Sequence, residues 1–393
     1  MIKITDKRDC CGCAACVQCC PKRCISLKED EEGFLYPDVN IEECIDCHLC
    51  EKVCPWIDRP DKQQPLDALA VKNRNDGERM ASSSGGVFIL LAKKVIERGG
   101  VVFGAVFDDN WEVVHTYAET IDGVKPMMGS KYVQSRIGNC YREAEKFLKS
   151  GRDVLFTGVP CQITGLHKFL RKEYPNLLSV DCLCHGVPSP GIWRRYLHEA
   201  VGGADYKDQI TGIEFRNKYL GGWKNYSFLI TGKAVSNDEN KVLYSEAHDK
   251  NAYMRGFLSD IYLRPSCYSC KCKNGASHSD LTLADFWGID VISPDVYDDK
   301  GVSLIIVSSE KGKSLLYSLD VDVYESSLVV AKTMNGGFKE KTIPHPKRKK
   351  FFEQFDKCGS VIKLIEDSSK PTFKIRLRNK INYFNQKMIK FKR

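Results

Sequence analysis

The sequence has no segment long and apolar enough to cross a bilayer. Its longest apolar run, GGVFILLA at 85–92, is about eight residues, against the roughly 20 that a membrane helix requires. It also lacks an apolar leader: the first residues read MIKITDKRDCCGC, so secretion is not expected and a cytoplasmic protein is. No G-x-G-x-x-G fingerprint occurs, so any dinucleotide must be held in another way. The stretch EKGKS (310–314) ends like a phosphate-binding loop, but Val307 stands where the first glycine belongs. The chain that remains after these exclusions has 393 residues, 42% of them hydrophobic, enough for two or three domains with a substantial core.

Cysteine is what the sequence has in excess. There are 19, and eleven of them lie between residues 10 and 54. A disulfide scaffold suits short secreted chains, and both the length and the expected compartment oppose it here. In a reducing compartment clustered thiolates bind metal. Cys10, Cys13, Cys16 and Cys20-Pro21 form C-x2-C-x2-C-x3-C-P, and Cys44, Cys47, Cys50 and Cys54-Pro55 repeat it. Gaps of two let one loop curl round a cubane and reach three of its irons, and the fourth thiolate comes from the other copy. The spacing therefore predicts one [4Fe-4S] cluster on Cys10, Cys13, Cys16 and Cys54. It predicts a second on Cys44, Cys47, Cys50 and Cys20. Cys11, Cys19 and Cys24 are left over as small packed side chains. Zinc also uses C-x2-C pairs, but it gives no reason for the third cysteine or the Cys-Pro of each copy. CIDCH (44–48) matches a haem-attachment string, but its cysteines already complete the cluster spacing, and His48 is read as an exposed loop residue.

Beyond a polar, two-proline stretch, DRPDKQQPL (58–66), the chain alternates strand and helix patterns. A Ser/Gly turn at 82–86 leads into an amphipathic helix over about 87–98 and a strand pair at 101–107 and 112–118. DVLFTGVPCQITGLHKFL reads as strand, glycine turn and helix, and LLSVDCLCHGV as a strand ending in a Cys-His-Gly turn. ITGIEFRNK, NYSFLITG, DLTLADFWG and VSLIIVSS read as later strands, which gives an α/β or α+β body. SSSGG (82–86) and MGSKYVQS (128–135) offer backbone N–H groups and hydroxyls to a pyrophosphate, and Lys131 adds charge. Taken alone, either is better read as an ordinary loop.

Five ordered strings, SSGGVF, GSKYVQS, GVPCQITGL, CHGVPSP and CYSC…SDLTLADFWG, resemble the coenzyme F-420 hydrogenase/dehydrogenase beta-subunit family over about residues 65–345. Residues 1–57 resemble the N-terminal two-cluster ferredoxin unit of its bacterial form. The resemblance implies a body that binds FAD and passes electrons between clusters and flavin. By position it places Ser84, Gly85, Gly86, Gly129, Ser130, Lys131 and Tyr132 near the FAD. It also suggests a third [4Fe-4S] cluster on Cys161, Cys184, Cys267 and Cys270, with Cys182 and Cys272 as competing candidates. Asp285 and Trp287 are placed near that core, Trp287 as packing. His185 is either a proton donor or a plain turn residue, and no catalytic acid is assigned. Members of the family oxidise or reduce a deazaflavin coenzyme, reduce tetrapyrrole precursors or serve thioredoxin reduction, and bacterial lookalikes accompany surface-polysaccharide genes.

The domains expected are a 2[4Fe-4S] ferredoxin-type unit (1–57), a linker (58–66), an FAD-binding α/β part (67–200), the C-terminal part of the body (201–345) and a basic tail (346–393). The tail holds fifteen Lys/Arg against four Asp/Glu, so the chain's formal charge of +8 belongs to it. After Pro371, Leu377, Ile381, Phe384, Met388 and Phe391 recur at helical spacing, which predicts a basic amphipathic helix. Such a helix suits the anionic inner membrane surface, an acidic partner or the chain's own body; no nucleic-acid module accompanies it. Three functions follow. The first is an iron-sulfur flavoprotein oxidoreductase fed by reduced ferredoxin or deazaflavin coenzyme. The second is an electron-transfer subunit serving a partner reductase. The third is a binding protein with structural clusters.

Overall fold

Runs such as VVFGAVF and SLIIV are apolar at successive positions, the composition of strands covered on both faces. The protein, described by a computed structural model over residues 1–203, 206–233, 240–338 and 342–370, buries them in one large sheet. The N-terminal unit comes first. Helix α1 (Ala15–Cys19) leads to the antiparallel hairpin β1 (Ile25–Glu29) and β2 (Leu35–Val39), then to the short helix α2 (Leu49–Lys52).

The body follows with β3 (Asp67–Asn73), α3 (Val87–Glu97), β4 (Val101–Phe107), β5 (Val113–Ala118), α4 (Cys140–Lys149) and β6 (Val154–Gly158). Next come α5 (Pro160–Leu170), β7 (Leu177–Cys182), α6 (Pro190–Val201), β8 (Ile210–Asn217), β9 (Ser227–Lys233) and β10 (Asn240–Ala247). Helix α7 (Ala252–Leu258) and strands β11 (Leu281–Asp285), β12 (Ser303–Val307) and β13 (Val321–Glu325) precede α8 (Arg348–Phe355) and α9 (Val361–Ser369). The fold is thus mixed α/β and α+β, and the helix expected at 87–98 and the strand pair expected at 101–118 are present.

The large sheet has eight strands in the order β13-β3-β12-β11-β7-β6-β4-β5. The four neighbours β4, β6, β7 and β11 are parallel, while β5 at one edge and the β12-β3-β13 group at the other pair antiparallel. Alternation along the parallel strands assigns the two faces. Val101, Phe103, Val154, Phe156 and Leu177 pack with α4, α5 and the N-terminal unit. Val102, Leu155, Leu178 and Val180 pack with α3. The second sheet, β10-β9-β8, is antiparallel and packs with α6, α7, α8 and α9.

The carboxyl ends of the parallel strands, at Phe107, Gly158, Cys182 and Asp285, all open on one side. In open α/β sheets that side is where ligands sit. Residues 58–66 form no helix or strand, yet they are pinned to the body, Gln63 N–H donating to the Gly275 carbonyl at 3.1 Å and Leu66 N–H to Val307 at 2.7 Å. The amphipathic helix expected after Pro371 lies outside the described residues.

Candidate functional site: three cysteine nests and a cavity

The two cysteine repeats fold alike. Ala14, directly after Cys13, and His48, directly after Cys47, both take left-handed backbone (φ 60 and 58) and start a short helix. That turn swings Cys16 on α1 and Cys50 on α2 towards the cysteines before them. Each helix then delivers a later cysteine, Cys20 or Cys54, across to the other motif. The result is two small cavities. One is lined by Cys10, Cys13, Cys16 and Cys54, the other by Cys20, Cys44, Cys47 and Cys50. The structure thus brings the expected cysteines of each set together, with Cys11 also lining the first cavity and Cys24 the second. Hydrogen-bond donors already face the sulfurs: Ile2 N–H to Cys50 Sγ at 3.3 Å and Arg264 Nη2 to Cys10 Sγ at 3.5 Å.

Burial pushes the Cys54 thiol up to about 11 and holds Cys16 well above its ordinary value, so these sulfurs stay protonated unless a cation binds them. Among the described residues no three His, Cys, Asp or Glu side chains converge as a single ion requires. The soft sulfur donors that line each small cavity suit an iron-sulfur centre. His48 is exposed, as expected, and holds Glu51 at 2.7 Å.

A third nest lies in the body. Cys161 sits in the first turn of α5, Cys184 just beyond β7, and Cys267 and Cys270 at the turn Pro265–Ser269; all four line one small cavity. Val187 N–H points at Cys267 Sγ at 3.4 Å. Cys182 does not join them but faces a larger cavity, and Cys272 is fully buried outside the lining. Cys11 is more than filler: it lines both this nest and that of Cys10, Cys13, Cys16 and Cys54. Cys24 is buried against Cys20, at 3.5 Å between sulfurs, and Cys19 Sγ donates to the Cys16 carbonyl at 3.4 Å.

The larger cavity, about 560 Å³, opens at the carboxyl ends of the parallel strands and shares Cys184, Gly186 and Val187 with the third nest. Of the residues placed near a flavin, Ser84, Gly86, Gly129, Ser130, Lys131 and Tyr132 line it. Gly85 does not. It lies against β3 and β12, where a Cβ would come 2.4 Å from the Val71 carbonyl. The two loops clasp each other: Ser83 Oγ accepts from Ser130 N–H at 2.7 Å and from Ser130 Oγ at 2.9 Å. A second cavity of about 490 Å³ adjoins the first, with Ser82, Ser83, Gly129, Ser130, Lys131 and Arg216 in the wall common to both.

Ionisable groups around the cavity are strongly displaced by burial. It pulls the Lys131 ammonium down to about 7 and the His115 imidazole to about 4, and pushes the Asp181 carboxyl up to about 6. His185 also lines the cavity; its Nε2 holds Asp260 at 2.6 Å. Trp287 both packs and lines: it stacks on Trp223 at 5.1 Å between ring centres and faces the cavity. Asp285 is paired with Arg216 and accepts from Trp223 Nε1 at 2.8 Å.

Two residues of the strand-end triplet RNK escape sequence reasoning. Lys218, only 2% exposed, donates to the carbonyls of Ser84 at 2.9 Å and Lys300 at 2.6 Å, and so fixes the Ser/Gly loop. Arg216 lines both cavities. The signal available was their place at the end of a strand whose partners are apolar, where a charge must either leave or find a partner.

Two curated relatives are ferredoxins. The chain is 50% identical over 42 residues to a 7Fe ferredoxin of Hydrogenibacillus schlegelii, which is 11% of this chain and 47% of the relative. It is 36% identical over 52 residues to an uncharacterized ferredoxin of Methanocaldococcus jannaschii, 13% of this chain and 66% of the relative. The chain thus spans about half to two thirds of the length of these relatives. Among solved structures, a chain of the F420-reducing [NiFe] hydrogenase complex from Methanosarcina barkeri superposes with a TM-score of 0.47 at 13% identity, over 75% of this chain and 93% of that one. Residues 151–326 match the family model for the C terminus of the coenzyme F420 hydrogenase/dehydrogenase beta subunit. Over that region, a little less than half of the chain, the sequence is similar to the coenzyme F420 hydrogenase/dehydrogenase beta-subunit family.

Proposed function

We propose that this chain is an iron-sulfur flavoprotein oxidoreductase. Residues 1–57 act as a 2[4Fe-4S] ferredoxin-type unit, joined through 58–66 to a body whose parts, 67–200 and 201–345, hold a third [4Fe-4S] cluster and FAD. Clusters pass single electrons, while a flavin collects two and exchanges a hydride equivalent. The residues supply position and environment. Cys20, Cys44, Cys47 and Cys50 form the outermost nest, with Cys47 exposed, where an electron donor such as reduced ferredoxin or a deazaflavin coenzyme would exchange. Cys11 separates the next nest from the third, and Cys184 stands in the walls of both the third nest and the cavity.

One observation supports this reading: three cysteine-lined nests lead to the cavity holding the Ser84, Gly86 and Ser130 loops. Anaerobic purification with iron, sulfide and flavin counting tests it. About twelve irons and one FAD per chain are expected, against about eight without the third cluster. Cys184→Ala should lower the count by about four. Unchanged iron in that variant removes Cys184 from the site, and protein that takes up no FAD removes the flavin reading.

The exposed outer nest also suits a subunit that only relays electrons to a partner reductase. That reading expects clusters and flavin that reduce readily, with turnover only after the partner is added.

A further inference from the structure

Arg216 is 6% exposed, and one nitrogen, Nη1, is bonded to Asp285. Among the described residues Nε and Nη2 have no hydrogen-bond partner. These two nitrogens lie on one edge of the guanidinium plane, the edge that grips a carboxylate or phosphate with two parallel bonds. Leaving a charged donor pair buried with only the neutral Tyr132 phenol beside it is costly, because each group forfeits its hydration and gains little in return.

The guanidinium is also held still. The Tyr226 ring lies 4.4 Å and the Trp287 ring 5.3 Å from it. Its partner Asp285 is fixed in turn by Trp223 Nε1 at 2.8 Å and, through its backbone carbonyl, by Asn335 Nδ2 at 2.8 Å. The Tyr132 phenol stands beside it, and Lys131 shares the wall between the two cavities. A preorganised fork at the junction of two cavities is the geometry of an anion anchor.

We infer that the Nε–Nη2 edge of Arg216 binds an oxyanion, carboxylate or phosphate, carried by the molecule that fills the two cavities. The source is either the diphosphate of a bound flavin dinucleotide or an acid group of the substrate. The inference extends the flavoprotein reading but does not need it, because anion binding is measurable whether or not flavin is present.

The test uses the full chain, purified anaerobically, as wild type and Arg216→Lys. Lysine keeps a cation opposite Asp285 while removing the fork. The double variant R216Q/D285N removes the pair without leaving a lone buried charge, and thermal melting confirms folding of both. Inorganic phosphate and pyrophosphate are titrated calorimetrically into flavin-loaded and flavin-free protein. Binding to the loaded form, weakened roughly ten- to hundredfold in R216K, assigns the anchor to substrate. Pyrophosphate binding only to the flavin-free form, competing with FAD and weakened to the same degree, assigns it to the dinucleotide. Protein that refuses FAD yet binds phosphate through Arg216 sinks the flavin reading and leaves this one standing. Anion binding that is absent from both forms, or equal in wild type and folded variants, overturns it.

Discussion

At the scale of single residues, two buried groups on the cavity wall titrate in opposite senses. His115 presents Nε2 to the Thr157 carbonyl at 3.0 Å, so that nitrogen donates, and Nδ1 faces the Ser135 hydroxyl. Burial holds its pKa at about 4, below the ordinary 6.5. A depressed folded-state pKa gives stability that is present above about 6.5 and lost as pH falls through about 4. The gap corresponds to about 3 kcal/mol. His115→Gln should therefore lose less stability than wild type between pH 7 and pH 4, read as the shift in melting temperature across that range; parallel curves would refute it. Asp181 runs the other way. Burial raises it to about 6, so its contribution falls as pH rises from about 4 through 6. Asp181→Asn should gain on wild type over that interval, by up to about 3 kcal/mol, and then level off. An advantage independent of pH would mean that Asp181 is not the ionising group.

At the scale of elements, α5 joins the N-terminal unit to the sheet. Gly165, midway along it, faces the loop before α1 so closely that a Cβ would lie 2.8 Å from Cys13 Cβ, and 2.8 Å from Tyr141 Oη on α4. Gly165→Val must push the Cys13 loop outwards, at an overpacking cost of about 1–3 kcal/mol. The expected result is a lower melting temperature together with loss of any iron held at the nest containing Cys13; an unchanged melting temperature and iron content would show that the Cys13 loop does not rest there. Much of this level was legible in the sequence. Strong apolar runs announce β4, β6, β7, β11 and β12, and the repeated cysteine spacing announces both nests of the N-terminal unit. What stayed hidden has physical causes. β13, VDVYE, is a half-exposed edge strand, and β2 carries Pro37, which weakens a strand signal. Cys161, Cys184 and the pair Cys267 and Cys270 come from three segments separated by 23 and 83 residues, so only the resemblance to a family, and no local spacing, grouped them. Arg216 reads as a solvated strand end until the tertiary fold closes over it.

At the scale of the whole molecule, the N-terminal unit is built into the body rather than tethered to it. Arg264, on the body, is completely buried, and its Nε donates to the Cys10 carbonyl at 2.7 Å, its Nη2 to the Leu35 carbonyl at 2.8 Å and its Nη1 to Gln134 at 2.9 Å. Gln134 in turn donates to the Cys11 carbonyl at 2.9 Å. Gln18 accepts from Tyr141 N–H at 3.0 Å, and Arg348 on α8 forks onto Glu32. These bonds fix the Cys10–Cys16 loop over Cys161, where Cys11 spans the two nests. Deleting residues 1–57 would strip Arg264 of two carbonyl acceptors and Arg348 of its carboxylate, and would expose the apolar face of α4 and α5. Removing one partner of a buried charged pair costs roughly 3–5 kcal/mol, so the shortened body should melt far below the full chain or fail to fold. A flexibly attached module would instead leave a body with unchanged melting temperature. Arg264→Gln in the full chain separates the two pictures without truncation. It should lower the melting temperature and, on the proposed electron route, weaken reduction of a cluster in the third nest, whereas in a tethered arrangement neither would move.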